Sequence, residues 1–466
     1  MIVLLVWAAI YLPALGSLEI KGEEGRRILP AVSMLETGNY LVPQVGSRPY
    51  LSKPPLINWL VAASFKIFGA RNEWTARIPS TLCLLAVALA FLTIAPASLG
   101  ADGSLIAALI WLTNFGMIEK GRLIEIEALY VSLCGLALIF WLSFWEQKKS
   151  PWLIWLPASI FLGLGLLAKG PPHLIFFYAI VIAVLWRARE LRLLASWPHL
   201  VALIIMMSIF AAWAVPYAET MRTGHVVHNW SRQFTGRILG EGFNLKSWAM
   251  NIPRSLGYFL PWLLLLPLAA RAKFSSERKI DMVRGLSWGA GVSLVIVDLI
   301  PGALPRYTMP LLMPASWLLA MTLTAEEVRW PGWSKSFSAS GRQRLVFGIA
   351  MVACACLLLY AFAIVPRLQT RQKVKNIAAQ VDAAVPAGER LYAVDPEYQP
   401  FLFYVRAPLS YASRVEDLPR EAHYFLVQPE NVPAAEACTQ WLPRHAETLL
   451  RIQDYRGRRV VLFEVR

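Results

Sequence analysis

Charge is scarce in this chain. Asp, Glu, Lys and Arg make up 16% of its 466 residues, against 57% apolar residues, and the mean hydropathy is +0.49. So few charged groups cannot cover a globule of this size, which excludes an ordinary water-soluble fold and points to a polytopic membrane protein. Cysteine is rarer still. Cys83, Cys134, Cys354, Cys356 and Cys438 show no CxxC spacing and four of them sit in apolar runs, so neither a disulfide nor a metal cluster is expected. No internal repeat, no low-complexity tract and no interleaved basic and aromatic pattern is present, so the net charge of +15 does not read as nucleic-acid binding. The first apolar run lacks the basic flank and small-residue cleavage site of a signal peptide, and it reads as a shortened first transmembrane helix.

What is present is a succession of apolar runs. They occur near residues 1–16, 77–97, 102–118, 126–145, 152–168, 171–186, 199–216, 256–270, 285–301, 305–323 and 344–365, which predicts about eleven transmembrane helices in a bilayer core ~30 Å thick. Between them, Lys148-Lys149, Arg187 to Arg192, Arg271 to Arg284 and Arg329 to Arg344 carry the basic residues expected of cytoplasmic turns. The loops left outside are 17–76, 119–125, 169–172, 217–255 and 302–306, together with the C-terminal tail. The many Trp residues at the ends of runs read as an interfacial belt. After about Pro366 the rhythm becomes that of a small α/β domain, residues 366–466. Strands are expected at Leu391–Val394, His423–Val427 and Arg459–Phe463, and helices near 370–384 and 431–442. Residues 1–365 would form the membrane domain.

The outward loops hold charges that the topology bias does not explain. Glu23, Glu24, Arg26, Arg27 and Lys53 lie in the long first loop; Lys120, Arg122, Glu125 and Glu127 border the fourth run; Lys169 and Arg306 end others. Cations on the outer face need another reason, and an anionic ligand supplies one. Two histidines, His225 and His228, have no third ligand in view and read as solvated; the Asn229-Trp230-Ser231 sequon reads as accidental.

The order of these groups resembles the GT-C membrane glycosyltransferases of the protein O-mannosyltransferase and aminoarabinose transferase superfamily. The resemblance rests on Glu23-Glu24-Gly25-Arg26, the segment Met34 to Pro43, Tyr50-Leu51-Ser52-Lys53-Pro54-Pro55, Phe68-Gly69 and Ala76-Arg77. Lys169-Gly170-Pro171, Leu260-Pro261-Trp262 and Leu304-Pro305-Arg306-Tyr307 continue it through the membrane region, while the tail matches by position alone. Two carboxylates depart from the pattern, Glu23 and Glu127 standing where the family usually has Asp. Each displaces its charge by one methylene.

The resemblance implies an inverting transfer of sugar from a polyprenyl phosphate to an envelope lipid, glycan or protein acceptor, at the outer face of a bacterial inner membrane. Glu23 is then the candidate base, with Glu127 the second catalytic carboxylate, helped by Glu125 in orienting hydroxyls. Lys53, Arg122, Lys169 and Arg306 are candidates for holding the phosphate, and Glu24, Arg26 and Tyr307 complete the substrate-binding set. No cofactor is required; a divalent metal stays open, although Ser52 stands where the aminoarabinose branch tends to carry a carboxylate. Blander roles compete: Glu23-Glu24 heading an interfacial helix, Glu127 favouring a helix dipole, Arg122 and Glu125 as a helical ion pair, Lys169 and Arg306 snorkelling. A flippase of lipid-linked sugars or a silent family member uses the same residues without bond breaking.

Overall fold

The computed structural model describes residues 1–50, 52–221, 235–236, 243–329, 338–438, 444–453, 457 and 459–466. His225, His228 and the Asn229 sequon lie outside the described residues. The chain forms two compact units, one of residues 1–13, 52–56 and 78–360 and the other of residues 14–51, 57–77 and 361–466.

The first unit is a helical bundle. Seven described helices are long and apolar enough to cross a membrane, among them Glu73–Thr93, Pro96–Thr113, Ile126–Glu146, Pro151–Lys169, Trp197–Met221 and Glu277–Leu299. An eighth crossing is available from the pair Asn251–Gly257 and Trp262–Arg271, which is bent by 93°. This is a multi-pass membrane protein. Three of the apolar runs form shorter helices, Ile2–Tyr11, Pro172–Arg187 and Leu312–Thr324, of 10, 16 and 13 residues.

Helix ends follow local chemistry. Prolines that need no amide partner open Pro96–Thr113, Pro151–Lys169 and Pro172–Arg187. Gly170, at φ 90°, ends the helix that carries Lys169. Glycine also lets two spans touch: a Cβ on Gly285 would lie 2.5 Å from the Cα of Val184, and one on Gly289 2.6 Å from that of Ile180. Lipid tails supply no hydrophobic drive between helices, so such close backbone approach is a main source of packing energy there.

The expectation of an interfacial tryptophan belt fails for Trp111, Trp141, Trp145, Trp155, Trp262 and Trp317, which are fully buried. Several find interior partners for the indole N–H, Trp111 donating to the Leu84 carbonyl at 3.0 Å and Trp262 to Thr113 Oγ1 at 3.0 Å. For Trp111, Trp262 and Trp145, whose N–H donates to Glu190 at 2.7 Å, a satisfied N–H removes the need to reach the headgroups; the indole nitrogens of Trp141, Trp155 and Trp317 are buried without a hydrogen-bond partner among the described residues.

The second unit joins first-loop helices to a five-stranded sheet. The strands run, across the sheet, Leu409–Ala412, Leu391–Val394, Tyr424–Val427, Arg459–Val465 and Ala446–Gln453. The first three are parallel, Leu391 pairing with both Leu409 and Tyr424, and the last two antiparallel. Phe425 and Phe463 stack at 5.3 Å in its core. Helix Val374–Ala384 starts where Glu19 accepts from the amides of Lys373, Val374 and Lys375 at 3.1, 2.8 and 3.2 Å. A carboxylate from far up the chain thereby satisfies three of the amides a helix start leaves open.

Candidate active site

The charged motif of the first loop lies in the second unit. Gly22, at φ 61°, turns the chain into a short 3-10 turn, Gly22–Glu24, that runs directly into helix Gly25–Thr37. One turn of helix separates Glu23 from Arg26 and Arg27, and this geometry sends the adjacent carboxylates in different directions.

Glu24 faces inward. Its two oxygens take Arg77 Nε and Nη2, each at 2.8 Å, and the same guanidinium donates to the carbonyls of Leu15, Leu18 and Glu19 at 2.9, 2.8 and 3.2 Å. Glu24 and Arg77 are 2% and 3% exposed. This bidentate pair ties the segment before the motif to the helix that begins at Glu73.

Glu23 is the accessible member, its side chain 33% exposed. Arg26 Nη1 and Arg27 Nη2 stand 3.4 and 4.0 Å from its Oε2, loose contacts beside the lock on Glu24. Both arginines are held elsewhere. Arg27 donates to the hydroxyl of Tyr50, and its carbonyl accepts from Asn58 Nδ2 at 2.8 Å. Arg26 donates to the hydroxyl of Tyr398 at 2.5 Å.

The other candidates lie in the first unit. Glu125 precedes helix Ile126–Glu146 and Glu127 sits in its first turn, where negative charge favours the helix dipole. Lys169 Nζ is 3.2 Å and Arg306 Nε 3.4 Å from the same oxygen of Glu127. Lys169 also lies about equally over the rings of Tyr130 and Tyr307, at 5.0 and 5.1 Å. Arg306 and Tyr307 belong to the 3-10 turn Pro305–Leu311, which Asn251 and Ser255 brace: Asn251 Nδ2 donates to the Ala303 carbonyl at 3.1 Å, and the Ser255 hydroxyl lies 3.2 Å from that of Pro305.

Lys120 Nζ stands 3.1 Å from Glu125 and 2.9 Å from Glu119. Burial pushes the Glu125 carboxyl above the usual carboxylate range, Glu127 adding to the effect and Lys120 opposing it. Burial works against the Lys120 ammonium too, but Glu125 and Glu119 outweigh it and raise its pKa. Arg122 donates to the carbonyls of Ile10 and Pro13, the latter at 2.6 Å, at the end of the first helix. Lys53 is half-buried in the turn ahead of helix Leu56–Phe68. Among the described residues no three His, Cys, Asp or Glu side chains form a metal-binding group.

An apolar cavity of about 760 Å³ adjoins this region, its walls including Phe259, Trp288, Leu294 and Leu312, with the hydroxyls of Ser255 and Thr308 at one place and Arg284 at another. Thr308 is two residues from Arg306.

ArnT from Cupriavidus metallidurans, in a crystal structure bound to undecaprenyl phosphate, superposes with a TM-score of 0.72 at 16% identity, covering 99% of this chain and 96% of that one. The profile of the dolichyl-phosphate-mannose-protein mannosyltransferase family matches residues 52–215. Sequence relatives include an undecaprenyl phosphate-alpha-4-amino-4-deoxy-L-arabinose arabinosyl transferase of Pseudomonas savastanoi pv. phaseolicola, 27% identical over 65% of this chain and 56% of that protein. The chain thus shares its fold with ArnT and is similar in sequence to this mannosyltransferase family and to aminoarabinose arabinosyl transferases. A second relative, the transferase of the same description from Erwinia tasmaniensis, is 26% identical over 71% of this chain and 60% of its own length. The chain spans a little over half the length of the curated relatives it matches.

The structure gathers Lys169, Arg306, Tyr307 and Glu127 into one cluster and Glu23, Arg26 and Arg27 into another. Sequence reasoning missed Tyr398 altogether and saw Arg77 only as a signpost. Nothing in Asp395-Pro396-Glu397-Tyr398 distinguishes it from a polar turn, so no signal for it was available. Arg77, a charge at the edge of an apolar run, was an available one.

Proposed function

We propose that the protein is an inverting glycosyltransferase that moves a sugar from a polyprenyl-phosphate donor to an acceptor hydroxyl of an envelope lipid, glycan or protein. The observation that carries this reading is the pair of cations, Lys169 and Arg306, on one oxygen of Glu127, close to the hydroxyl-bearing part of an apolar cavity. A single carboxylate holds both cations in place, so either can turn to a phosphate oxygen while the other stays paired. The cavity offers a dry route for a polyprenyl chain. The relatives' names, which specify an undecaprenyl-phosphate aminoarabinose donor, favour a donor of that type here.

In this reading Glu23 takes the proton of the acceptor hydroxyl. The acceptor oxygen attacks the anomeric carbon from the face opposite the phosphate, the carbon–oxygen bond to phosphate breaks, and the configuration inverts. Lys169 and Arg306, with Lys53 and Arg122, stabilise the charge that gathers on the departing phosphate. Glu127 and Glu125 orient their cations and the reacting hydroxyls, and Tyr307 flanks the sugar. Glu24 acts through its lock on Arg77, fixing the turn that presents Glu23. We place the active face and residues 366–466 on the extracytoplasmic side of a bacterial inner membrane, residues 1–365 carrying the transferase machinery, because the basic turns favour the opposite side.

The test is consumption of a radiolabelled polyprenyl-phosphate sugar by the protein in lipid nanodiscs, with a membrane extract as acceptor, for wild type and Glu23→Gln. Loss of donor with a new labelled product in the wild type alone supports the proposal. Donor binding by both without consumption by either, across a panel of sugars, would move a flippase ahead of it.

A further inference from the structure

We propose that Tyr398, from the C-terminal segment, is a positioning residue of the catalytic loop: it takes one end of Arg26, keeps that guanidinium from closing on Glu23 with two nitrogens, and so leaves the Glu23 carboxylate available as a base. The inference rests on the reading of Glu23 as that base.

The segment Asp395 to Pro400 leaves strand Leu391–Val394 and doubles back through two non-glycine residues in the left-handed region, Asp395 at φ 44° and Glu397 at φ 51°. L-residues adopt that region only when their surroundings impose it. Here the surroundings are identifiable. The Asp395 amide donates to the Ala412 carbonyl at 3.0 Å, the Asp395 carbonyl accepts from Gln428 Nε2 at 2.8 Å, and its carboxylate pairs with Arg48 at 2.7 Å. The turn is fixed on both sides, by the sheet and by the first loop.

Its far end is pressed onto the catalytic helix. A Cβ on Gly25 would lie 2.9 Å from the Tyr398 carbonyl and 3.2 Å from Pro400 Cγ, so only glycine admits this approach. There the Tyr398 hydroxyl lies 2.5 Å from Arg26 Nη2, and the guanidinium carbon stands 3.9 Å from the centre of its ring. Arg26 is therefore shared. One end is on the phenol, and the other, Nη1, reaches Glu23 at 3.4 Å.

The neighbouring pair shows what the sharing prevents. Arg77 closes on Glu24 with two nitrogens at 2.8 Å and occupies both of its oxygens; a guanidinium that closed on Glu23 in the same way would favour the charged form of that carboxylate over the protonated one. Arg26, one helical turn from Glu23, has the length to do the same. Tyr398 diverts it. Among the described residues, the charged groups facing Glu23 are Arg26 and Arg27 on the helix that follows its turn; Tyr398 from the tail segment restrains the first and Tyr50, which accepts from Arg27, restrains the second.

The test compares Tyr398→Phe, which removes only the hydroxyl, with wild type and with Arg26→Gln in both backgrounds, on the full chain in nanodiscs. Two quantities are read: the donor KM and kcat with their pH profiles, and carbodiimide labelling of Glu23 at a fixed mildly acidic pH, followed by peptide mass spectrometry, which needs no turnover. In Tyr398→Phe, kcat should fall about tenfold with donor KM within about twofold, the acid limb of kcat should move to lower pH, and Glu23 labelling should drop several-fold. Arg26→Gln should abolish all of these differences between the two tyrosine backgrounds. Unchanged labelling in Tyr398→Phe overturns the inference, as does a risen KM with an unmoved pH profile, which would mark a purely structural contact. If wild type consumes no donor while labelling still drops, the transferase reading fails and the Tyr398–Arg26–Glu23 coupling stands.

Discussion

Lys169 and Arg306 reach the same oxygen of Glu127, at 3.2 and 3.4 Å, from helices that are distant in sequence. A phosphate entering between them would find two donors already aimed and one carboxylate to step aside.

Arg306→Ala should therefore raise the donor KM about tenfold or more, since a hydrogen bond to a charged group contributes roughly 1.5–3 kcal/mol. Arg306→Lys should recover only part of it, because a point charge replaces a bidentate fork. Initial rates against donor concentration separate the two, and an unchanged KM in Arg306→Ala would remove Arg306 from the phosphate site.

The Glu24–Arg77 lock makes a contrasting forecast. Glu24→Gln leaves a buried guanidinium without its anion and should cost about 3–5 kcal/mol, seen as a lower melting temperature in detergent. Glu23→Gln should leave the melting temperature nearly unchanged while kcat falls about 10²–10⁴-fold. Equal destabilisation by the two substitutions would contradict the division of roles between the adjacent carboxylates.

Close packing of two spans can be tested without touching the charged groups. Gly285→Leu forces atoms into the space that the Val184 backbone occupies, where even a Cβ would lie 2.5 Å from its Cα. The expected cost is at least the ~1–3 kcal/mol of ordinary overpacking, read as loss of monodisperse protein on size-exclusion chromatography.

The pH dependence of stability follows from Glu125. Its carboxyl titrates above its unfolded value because of burial first and Glu127 second, so the folded state binds a proton more readily than the unfolded one. Its contribution is most favourable below the unfolded value and declines as pH rises through the folded value. Thermal melts between pH 4 and neutrality should show that decline in wild type and a shallower one in Glu125→Gln. A steeper slope in the variant would reverse the assignment.

The spans were legible because a bilayer demands unbroken apolar runs, and the tail strands Leu391–Val394 and Tyr424–Val427 because central strands are apolar on both faces. The edge strands Leu409–Ala412 and Ala446–Gln453 escaped notice because an edge is half wet: Leu409, Ser410 and Tyr411 are only partly buried, and Glu447, Thr448 and Leu449 are exposed. In the site, charge in unexpected places marked Glu23, Glu127, Lys169 and Arg306. Partnerships were invisible, since Arg77 stands 53 positions from Glu24 and Tyr398 372 from Arg26. Composition carries no record of such distances. Tryptophan misled in the other direction, because its position near a run's end does not say which way the indole turns.

Glu19 has one further consequence. Its side chain caps helix Val374–Ala384 while its own carbonyl and those of Leu15 and Leu18 bind the guanidinium that fixes Glu24. The tail is thus not a detachable cassette: a chimaera that exchanges residues 366–466 between relatives must also exchange the ten or so residues leading into the motif, or it will leave a carboxylate facing the wrong helix start.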